Sequence, residues 1–444
     1  MTENQLVEAD LIIEARWVVP IVPHDLILER HSVVISLGRI IDLLPTEQAR
    51  NQYHAIKTNV LDEHVLIPGL INLHTHAAMT LMRGMADDLQ LMAWLKEHIW
   101  PAEAEVISPK FVRDGTLLAS AEMLAGGTTT YNDMYFYPAS AAEASVQAGI
   151  RANLGLVIIE FPSSYASDAD DYIQKGLDAR DGWRGQSLIT SSIAPHAPYT
   201  ISDNTFEKVV TYAEQLGLGI HTHLHETKIE IEDSLKEYGM TPIQRLSQLG
   251  VLGPNLVAAH GVHIDEVDTE TLISHGCHLA HCPASNLKLA SGIAPISRYT
   301  KAGINIGIGT DGAASNNRLD MFSEMRLAAL LAKGQSGDAA SIPAHQALRM
   351  ATINGAKALG LENRIGSIEI GKMADLAAIK LSSIQTQPCF DPVSHLVYAA
   401  GREQVTHTWV DGELRYQDGV YASIEPAELK EITSVWQSKL AQFK

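Results

Sequence analysis

Apolar runs of strand length alternate with segments of helical periodicity through the middle of the chain. The runs end at about residues 73, 132, 158, 194, 222, 259, 280 and 309. Between them, apolar positions recur with helical spacing, as in residues 111–125, 205–216 and 241–249. Strands that are apolar throughout and alternate with helices indicate a parallel sheet covered on both faces. Eight such units in roughly 300 residues predict an α/β fold, a (β/α)8 TIM-like barrel with insertions.

The two ends of the chain show a different pattern, with short β-rich stretches separated by turns. Residues 10–64 contain several such stretches, and Gly38-Arg39 predicts a turn among them. The same pattern returns at 375–379 and 408–410. Asp411-Gly412 then predicts a hairpin turn, because this dipeptide favours tight turns between strands.

Two β-rich ends that flank a barrel predict one small β-sandwich domain built from both chain ends. We expect this composite domain to comprise residues 1–65 plus 366–444, and the catalytic barrel to comprise residues 66–365. A doubly wound sheet is the alternative fold. No glycine-rich nucleotide-binding signature follows the first barrel strand, which removes the usual cofactor-binding versions of that alternative.

Imidazole and carboxylate groups follow most of the predicted strands, at the ends where a parallel barrel has its active site. His74 and His76 end the first strand and project together, because alternate side chains of a strand share one face. The ends of later strands carry His196, His221, His223, His225, Glu226, His260, His281 and Asp311. Such groups ligate transition metals, so their convergence on one mouth predicts a metal-centred site.

The charge balance limits the partners of this protein. The chain has 33 basic and 52 acidic residues and a net charge of −19, which argues against nucleic acid and anionic membranes as partners.

Three cysteines without a C-x-x-C motif indicate a reducing compartment. Residues 1–5 lack the features of a signal peptide, and no apolar run of about 18 residues is present, so we expect a cytoplasmic protein. Whether the chain forms a homo-oligomer stays open.

Several motifs resemble those of a known superfamily. The run from Pro68 to His76, together with His223, His260 and Thr310-Asp311-Gly312, resembles the amidohydrolase superfamily of metal-dependent barrel hydrolases. Further blocks narrow this resemblance to the 5-methylthioadenosine/S-adenosylhomocysteine deaminase family and its relatives, the guanine deaminases and triazine hydrolases. These blocks are 223–227, 281–292 and 366–375. The resemblance covers nearly the whole chain.

The resemblance implies one divalent metal ion with four protein ligands, which are His74, His76, His223 and Asp311. Three neutral imidazoles and one carboxylate suit Zn²⁺, although Fe²⁺ and Mn²⁺ stay open. The fourth strand reads Ser192 to His196 and offers no lysine that a second metal ion would need as a bridge. A bound ion lowers the pKa of its water toward about 7 and so generates hydroxide at neutral pH.

The resemblance also gives three residues a part in proton transfer. Asp311 would accept the proton of the water, and His260 would orient the water and the developing oxyanion. Glu226 would bind and protonate purine N1 and later protonate the departing ammonia. The implied reaction is hydrolytic deamination of the 6-amino group of an adenosine-type nucleoside by attack of a metal-bound hydroxide. A solvated carboxylate at a helix start is the alternative interpretation of Glu226, and a structural imidazole is that of His260.

Two further residues resemble the nucleoside contacts of this family. Glu103, in Trp100-Pro101-Ala102-Glu103, matches a glutamate that holds the ribose hydroxyls, and His196 matches a second contact. A carboxylate that accepts hydrogen bonds from vicinal hydroxyls favours a nucleoside over a free base. An exposed helix-terminal charge is the alternative interpretation of Glu103.

One position departs from the family pattern. Leu156 follows Gly149-Ile150-Arg151-Ala152 at a position where many members carry an arginine near the amino-acid tail of S-adenosylhomocysteine. A leucine beside the substrate tail suits an apolar thioether better than a charged group. We therefore expect 5′-methylthioadenosine, which would yield 5′-methylthioinosine and ammonia, to be preferred over S-adenosylhomocysteine. Adenosine would be a slower substrate.

Three other functions are compatible with the same barrel. A guanine or 8-oxoguanine deaminase and a triazine hydrolase would use the same metal site, but their substrates have no ribose for Glu103 to hold. A non-catalytic barrel that only binds a ligand is the alternative from another class. The complete ligand set, together with Glu226 and His260, argues against it.

Overall fold

The computed structural model describes residues 6–443, which form two eight-stranded sheets and the helices around them. Residues 1–5, on which the argument against a signal peptide depends, lie outside the described residues. The strands are β1 (Val7–Val18), β2 (Leu28–Ser36), β3 (Arg39–Pro45), β4 (Tyr53–Pro68), β5 (Leu70–Thr75), β6 (Thr128–Tyr135), β7 (Arg151–Ile158), β8 (Ile189–Pro195), β9 (Gly219–Leu224), β10 (Leu256–His260), β11 (His278–His281), β12 (Asn305–Ile308), β13 (Leu376–Lys380), β14 (Val405–Val410), β15 (Glu413–Gln417) and β16 (Val420–Tyr421).

The α-helices connect the strands of the larger sheet and flank the smaller one. They are α1 (Thr46–Gln52), α2 (Leu91–Ala93), α3 (Trp100–Val106), α4 (Pro109–Ala125), α5 (Pro138–Ala148), α6 (Ala169–Gly182), α7 (Asp203–Leu216), α8 (Lys228–Tyr238), α9 (Pro242–Gln248), α10 (Glu266–Ser274), α11 (Pro283–Lys288), α12 (Ile296–Ala302), α13 (Ala313–Asn316), α14 (Met321–Ser336), α15 (Ala344–Met350), α16 (Ile353–Ala358), α17 (Pro392–Tyr398) and α18 (Pro426–Leu440). A π-helical turn covers Trp94–Ile99 between α2 and α3. Among residues 6–443, no helix has the length and apolar character needed to cross a membrane.

Strands β5 to β12 lie side by side in chain order, and every neighbouring pair is parallel. The barrel closes between β12 and β5, where the main-chain N of Asp311 donates to the carbonyl of His74 across 2.9 Å. Gly309 allows this approach, because a Cβ at that position would lie 2.7 Å from the main-chain N of His74. The predicted barrel is confirmed, and its strands end within a few residues of the predicted positions.

Many helices of the barrel begin at a side chain that caps their first main-chain N–H groups. The hydroxyls of Ser108 and Ser202 accept from the third helical residue at 3.3 Å, at the starts of α4 and α7. Thr227 caps α8 in the same way, and the carboxylate of Asp265 caps α10 at 2.8 Å. Each cap stabilises its helix by about 1 kcal/mol. These caps therefore stabilise the starts of four barrel helices.

The second sheet contains strands from both ends of the chain, in the order β16-β15-β14-β13-β4-β1-β2-β3. Strand β4 joins its two halves, because it pairs parallel with β1 and antiparallel with β13. The sheet curls until its halves share a core that includes Ile13, Ile40 and Trp409. A small β domain built from both chain ends is thereby confirmed.

The two predicted turns of this sheet have different outcomes. Asp411-Gly412 lies between β14 and β15, and both residues have positive φ (51° and 75°), as a tight hairpin turn requires. The turn between β2 and β3 consists of Leu37 and Gly38, with φ of 49° and 73°, so the prediction of Gly38-Arg39 was wrong by one residue. Arg39 belongs to β3, where it pairs with Ser36.

The boundary between the two domains stays a prediction. Two helices within 366–444 contact the barrel directly. Trp436 of α18 donates from Nε1 to Oδ2 of Asp114 in α4 across 2.9 Å. Arg326 of α14 donates from Nε to the carbonyl of Val397 in α17 at 3.2 Å. Much of the chain after residue 366 therefore packs against barrel helices.

Candidate metal centre and substrate cavity

The carboxyl ends of four barrel strands bring five potential ligands together. His74 lies in β5 and His76 directly after it, His223 lies in β9 and His260 in β10, and Asp311 follows β12. Nε2 of His74 and Nε2 of His76 each lie 3.3 Å from Oδ1 of Asp311. Ligand atoms lie within 4.8 Å of one another in two groups, His74-His76-Asp311 and His74-His223-His260. The four predicted ligands are therefore close neighbours, and His260 lies beside them.

The main chain at this mouth takes unusual conformations. His225, His260 and Asp311 have φ of 53°, 75° and 60°, in the left-handed region that non-glycine residues rarely adopt. Each such residue costs about 1–3 kcal/mol, which the surrounding structure must offset. Two of the three, His260 and Asp311, belong to the cluster itself, so their strained main chain helps to set the direction of their side chains.

The contacts of the imidazoles match those of metal ligands. Nδ1 of His76 donates to the carbonyl of Met134 at 2.6 Å, and Nδ1 of His223 donates to the carbonyl of His196 at 2.7 Å. Both rings therefore turn their Nε2 atoms toward the centre of the cluster. Nε2 of His74 is buried and has no hydrogen-bond partner among the described residues. A buried lone pair without a donor, beside two more imidazoles and a carboxylate, fits a divalent metal ion.

Asp311 is held as an ionised carboxylate by its neighbours. Its Oδ1 accepts from the main-chain N of Gly312 at 2.8 Å, and its Oδ2 accepts from the hydroxyls of Ser285 and Ser315 at 2.6 and 2.7 Å. Burial alone would raise the pKa of Asp311, but the imidazoles of His74 and His76 beside its Oδ1 hold it well below its usual range. The carboxylate is thus fixed in position and charge.

Glu226 and His260 face each other beside the cluster. Oε2 of Glu226 lies 3.8 Å from Nε2 of His260, and Oε1 accepts from the hydroxyl of Ser291 at 3.1 Å. Nδ1 of His260 donates to Oδ1 of Asn286 at 2.9 Å, which leaves Nε2 directed toward Glu226. Burial raises the pKa of Glu226 above that of an ordinary carboxyl. The structure therefore contradicts the alternative of a solvated carboxylate, since Glu226 is 6 % exposed.

A cavity of about 610 Å³ opens onto the cluster, a volume typical of sites for small molecules. Glu103 and His196 line it, as do His76, His223, Glu226, His260 and Asp311, whereas His74 lies beneath its floor. Burial raises the pKa of Glu103 to about 7, although the hydrogen bond from Tyr135 acts in the opposite direction. Burial lowers the pKa of His196 to about 3, so its imidazole is neutral.

One wall of the cavity is apolar and comes mainly from the segment around the π-helical turn. This segment contributes Leu91, Trp94, Leu95, Ile99 and Trp100, and Phe161 from the loop after β7 completes the wall. The described residues that line the cavity include no lysine or arginine. The cavity thus joins the polar ligand cluster to an apolar region whose described lining offers no cationic side chain for a carboxylate.

Leu156 does not reach this cavity, so the expectation that it would contact a substrate tail was wrong. Its side chain packs against Gly176 of α6, where a glycine Cβ would lie 3.0 Å from Cβ of Leu156. The next residue of β7, Val157, lines the cavity instead. Alternate residues of a strand face opposite sides, and Leu156 has the outward parity.

The remaining strand-end histidines, His221, His225 and His281, lie outside the predicted ligand set. Nε2 of His221 lies 2.9 Å from Nδ1 of His74. His225 donates from Nδ1 to the carbonyl of His263 at 2.9 Å, and His281 is buried in β11. Reasoning from the sequence missed the polar side chains that hold the site residues in place, namely Tyr135, Ser285, Asn286, Ser291 and Ser315. Ser285, Asn286 and Ser291 lie within the block 281–292, which was the one available signal.

A parallel barrel with clustered imidazoles and a carboxylate at its carboxyl end defines a metal-dependent barrel hydrolase. The chain belongs to the Amidohydrolase family, whose sequence profile matches residues 65–415. It is similar to a 5-methylthioadenosine/S-adenosylhomocysteine deaminase from Teredinibacter turnerae, with 46% identity over 97% of this chain and 98% of that protein. A 5′-deoxyadenosine deaminase from Methanosarcina mazei is 41% identical over 92% of this chain and 93% of its own length.

A solved structure of a deaminase has the same fold. An adenosine deaminase from Xanthomonas campestris with bound zinc superimposes with a TM-score of 0.97 and is 46% identical, covering 99% of this chain and 100% of that chain. The resemblance inferred from the motifs is therefore confirmed at the level of the family and the fold.

Proposed function

We propose that this protein is a metal-dependent aminohydrolase that deaminates adenosine-type nucleosides, with 5′-methylthioadenosine as the preferred substrate. One observation carries the proposal: a single cavity connects the ligand cluster to the half-buried carboxylate of Glu103 and to an apolar wall. The parts of a nucleoside follow the same order, because the base would lie at the cluster, the ribose at Glu103 and the 5′ substituent at the apolar wall. The names of the relatives described above support the same class of substrate.

The metal would be held by His74, His76, His223 and Asp311, and Zn²⁺ suits this donor set best. A bound divalent ion would supply a water molecule acidified toward neutral pH. Asp311 is placed to receive a proton because its carboxylate is ionised and lies within the cluster. The overall reaction adds water at C6 of the purine, breaks the C6–N bond and releases ammonia.

Glu226 and His260 would act on the purine from the side of the cluster. The buried carboxyl of Glu226 retains its proton to higher pH than an ordinary glutamate, so it can donate that proton to N1. Protonation at N1 makes C6 more electrophilic. His260, held by Asn286, would orient the oxygen that adds to C6.

Glu103 and His196 would select a nucleoside. Oε1 of Glu103 already accepts a hydrogen bond from Tyr135, and Oε2 is free to accept from a ribose hydroxyl. A guanine or triazine ring has no ribose, so a loss of binding in Glu103→Gln would separate these alternatives. No observation at the site favours either of them.

The apolar wall would receive the 5′ substituent. A methylthio or a 5′-deoxy group suits Trp94, Ile99 and Trp100, whereas the carboxylate of S-adenosylhomocysteine would enter a cavity without lysine or arginine. Burying a charged group without a partner is unfavourable. The lining of the cavity therefore replaces Leu156 as support for the preference for 5′-methylthioadenosine.

Ammonia release from a panel of substrates tests this proposal. The panel contains 5′-methylthioadenosine, 5′-deoxyadenosine, adenosine, S-adenosylhomocysteine and guanine, and the metal content is measured on the same sample. We expect kcat/KM for 5′-methylthioadenosine to exceed that for S-adenosylhomocysteine by about tenfold or more, as differences in apolar pockets typically give. A higher value for S-adenosylhomocysteine would refute the preference, and release from guanine alone would refute the proposed substrate class.

A further inference from the structure

The three imidazoles proposed as metal ligands differ in what orients them. Nδ1 of His76 and Nδ1 of His223 donate to main-chain carbonyls, as described above. Nδ1 of His74 instead lies 2.9 Å from Nε2 of a side chain, His221. Both rings of this pair are fully buried, and their planes meet at 85°. His74 is thus the one ligand of the three whose orientation depends on a replaceable side chain.

The metal site determines the direction of this hydrogen bond. Nε2 of His74 must carry a lone pair to bind a cation, so the proton of a neutral ring lies on Nδ1. That N–H donates, and Nε2 of His221 therefore accepts. His221 must then be neutral and carry its own proton on Nδ1, since an imidazolium has no acceptor.

The surroundings of His221 are compatible with this tautomer. Its Nδ1 is buried without a partner among the described residues. The ring lines a second cavity of about 480 Å³ near the amino ends of the strands, together with Asn132, Asn153 and Ser192. These side chains offer oxygen acceptors, and a polar cavity of this size is large enough for ordered water. The proton on Nδ1 therefore has a polar environment on the side away from His74.

We propose that His221 is a positioning residue of the metal centre, which fixes the tautomer and ring orientation of His74 by accepting its Nδ1 hydrogen bond. The inference rests on the metal site of the proposed function and is independent of the substrate. Partners of this kind typically change metal affinity by about 10–100-fold when they are removed. His221 is a positioning residue because its contact is with a ligand and it does not line the substrate cavity.

Zinc affinity of the purified protein, measured by competition with a chromophoric chelator, tests the proposal. His221→Phe keeps a planar ring but removes the acceptor, and we expect it to bind zinc about 10–100-fold more weakly. His221→Gln can place Oε1 near the position of Nε2, so it should recover most of the affinity. The absorption bands of the cobalt-substituted protein should change in His221→Phe and return in His221→Gln.

Asn153→Leu is the matched control. Asn153 lies in the same polar layer, where it donates to Oδ1 of Asn132 at 2.7 Å and does not contact His74. The Asn153→Leu variant should bind zinc with the same affinity as the unaltered chain. If His221→Phe does not fold, His221→Asn replaces it, because its shorter side chain cannot reach His74.

The outcomes separate this inference from the proposed function. If His221→Phe has the zinc affinity and cobalt spectrum of the unaltered chain, the inference is overturned. It is also overturned if His221→Phe, His221→Gln and Asn153→Leu all lose zinc affinity to the same extent, since that would indicate a packing effect. An unaltered chain that binds zinc but deaminates none of the nucleosides overturns the proposed function and leaves the role of His221 intact. An unaltered chain that binds no divalent metal overturns both.

Discussion

The hydroxyl of Tyr135 donates a hydrogen bond to Oε1 of Glu103 across 2.6 Å. Tyr135 ends strand β6, whereas Glu103 lies in helix α3, so the bond joins the barrel to the segment that forms the apolar wall. It orients the carboxylate at the cavity and leaves Oε2 for a substrate. This relationship makes Glu103 a defined part of the cavity, and it contradicts the alternative of an exposed terminal charge.

Replacement of Glu103 by glutamine should weaken nucleoside binding. The substitution preserves the shape but removes the charge, and a hydrogen bond to a charged group contributes about 1.5–3 kcal/mol. We expect kcat/KM for 5′-methylthioadenosine to fall about 10–100-fold, mainly through KM, as steady-state kinetics would measure. Glu105, an exposed neighbour, provides the control, and Glu105→Gln should behave as the unaltered chain. An unchanged KM in Glu103→Gln would contradict contact with the ribose.

The same carboxylate predicts a pH dependence. Burial raises the pKa of Glu103 to about 7, and the ionised form is the one that accepts hydrogen bonds from ribose hydroxyls. Ionisation increases as the pH rises through this value, so kcat/KM for nucleosides should rise across the same range. In Tyr135→Phe the midpoint should move to higher pH, because the bond that favours the carboxylate is lost. If kcat/KM of Glu103→Gln still rises with pH over the same range, the rise belongs to another titrating group.

Glu226→Gln should lower kcat more than it weakens substrate binding. Glutamine cannot transfer a proton, and the loss of a general acid typically costs about 10²–10⁴-fold in rate. The measurements are kcat and zinc content, and the zinc content should stay unchanged. Glu232→Gln, at an exposed position of helix α8, which follows Glu226 along the chain, serves as the control. A variant with full kcat would show that another group protonates the purine.

The sequence predicted which side chains meet at the barrel mouth, because the geometry of a parallel barrel determines where strand ends lie. Parallel strands place their carboxyl ends at one mouth, so His74, His223 and Asp311 needed only correct strand ends. Leu156 was misplaced for a physical reason: β7 is buried on both faces, so its apolar pattern does not distinguish inward from outward positions.

Contacts across the cavity were beyond prediction from the sequence. The π-helical turn at Trp94–Ile99 has no regular 3.6-residue spacing, and its aromatic wall therefore gave no periodic signal. The bond between Tyr135 and Glu103 joins two elements whose relative position depends on the packing of the whole barrel. Side chains that orient other side chains, such as Asn286 behind His260, become visible only in three dimensions.

Removal of the metal should destabilise the fold. The ligands come from β5, β9 and the end of β12, so a bound ion connects distant parts of the barrel. A ligand present at 100–1,000 times its Kd stabilises the folded state by about 3–4 kcal/mol. Thermal unfolding after treatment with a chelator should therefore show a lower Tm, and added zinc should restore it. Equal Tm values with and without metal would contradict a tightly bound ion.

Arg151 should be essential for stability, because it joins the two sheets from a fully buried position. Its Nε donates to Oδ2 of Asp375 at 2.9 Å, and its Nη2 donates to Asp411 in the hairpin turn of the smaller sheet. In Arg151→Met both carboxylates lose their partner, and breaking a buried ion pair in this way typically costs about 3–5 kcal/mol. The expected result is a large fall in Tm, whereas Lys208→Met, which breaks the exposed pair with Asp170, should change it little. Similar Tm values for the two variants would show that the smaller sheet is held by its apolar contacts alone.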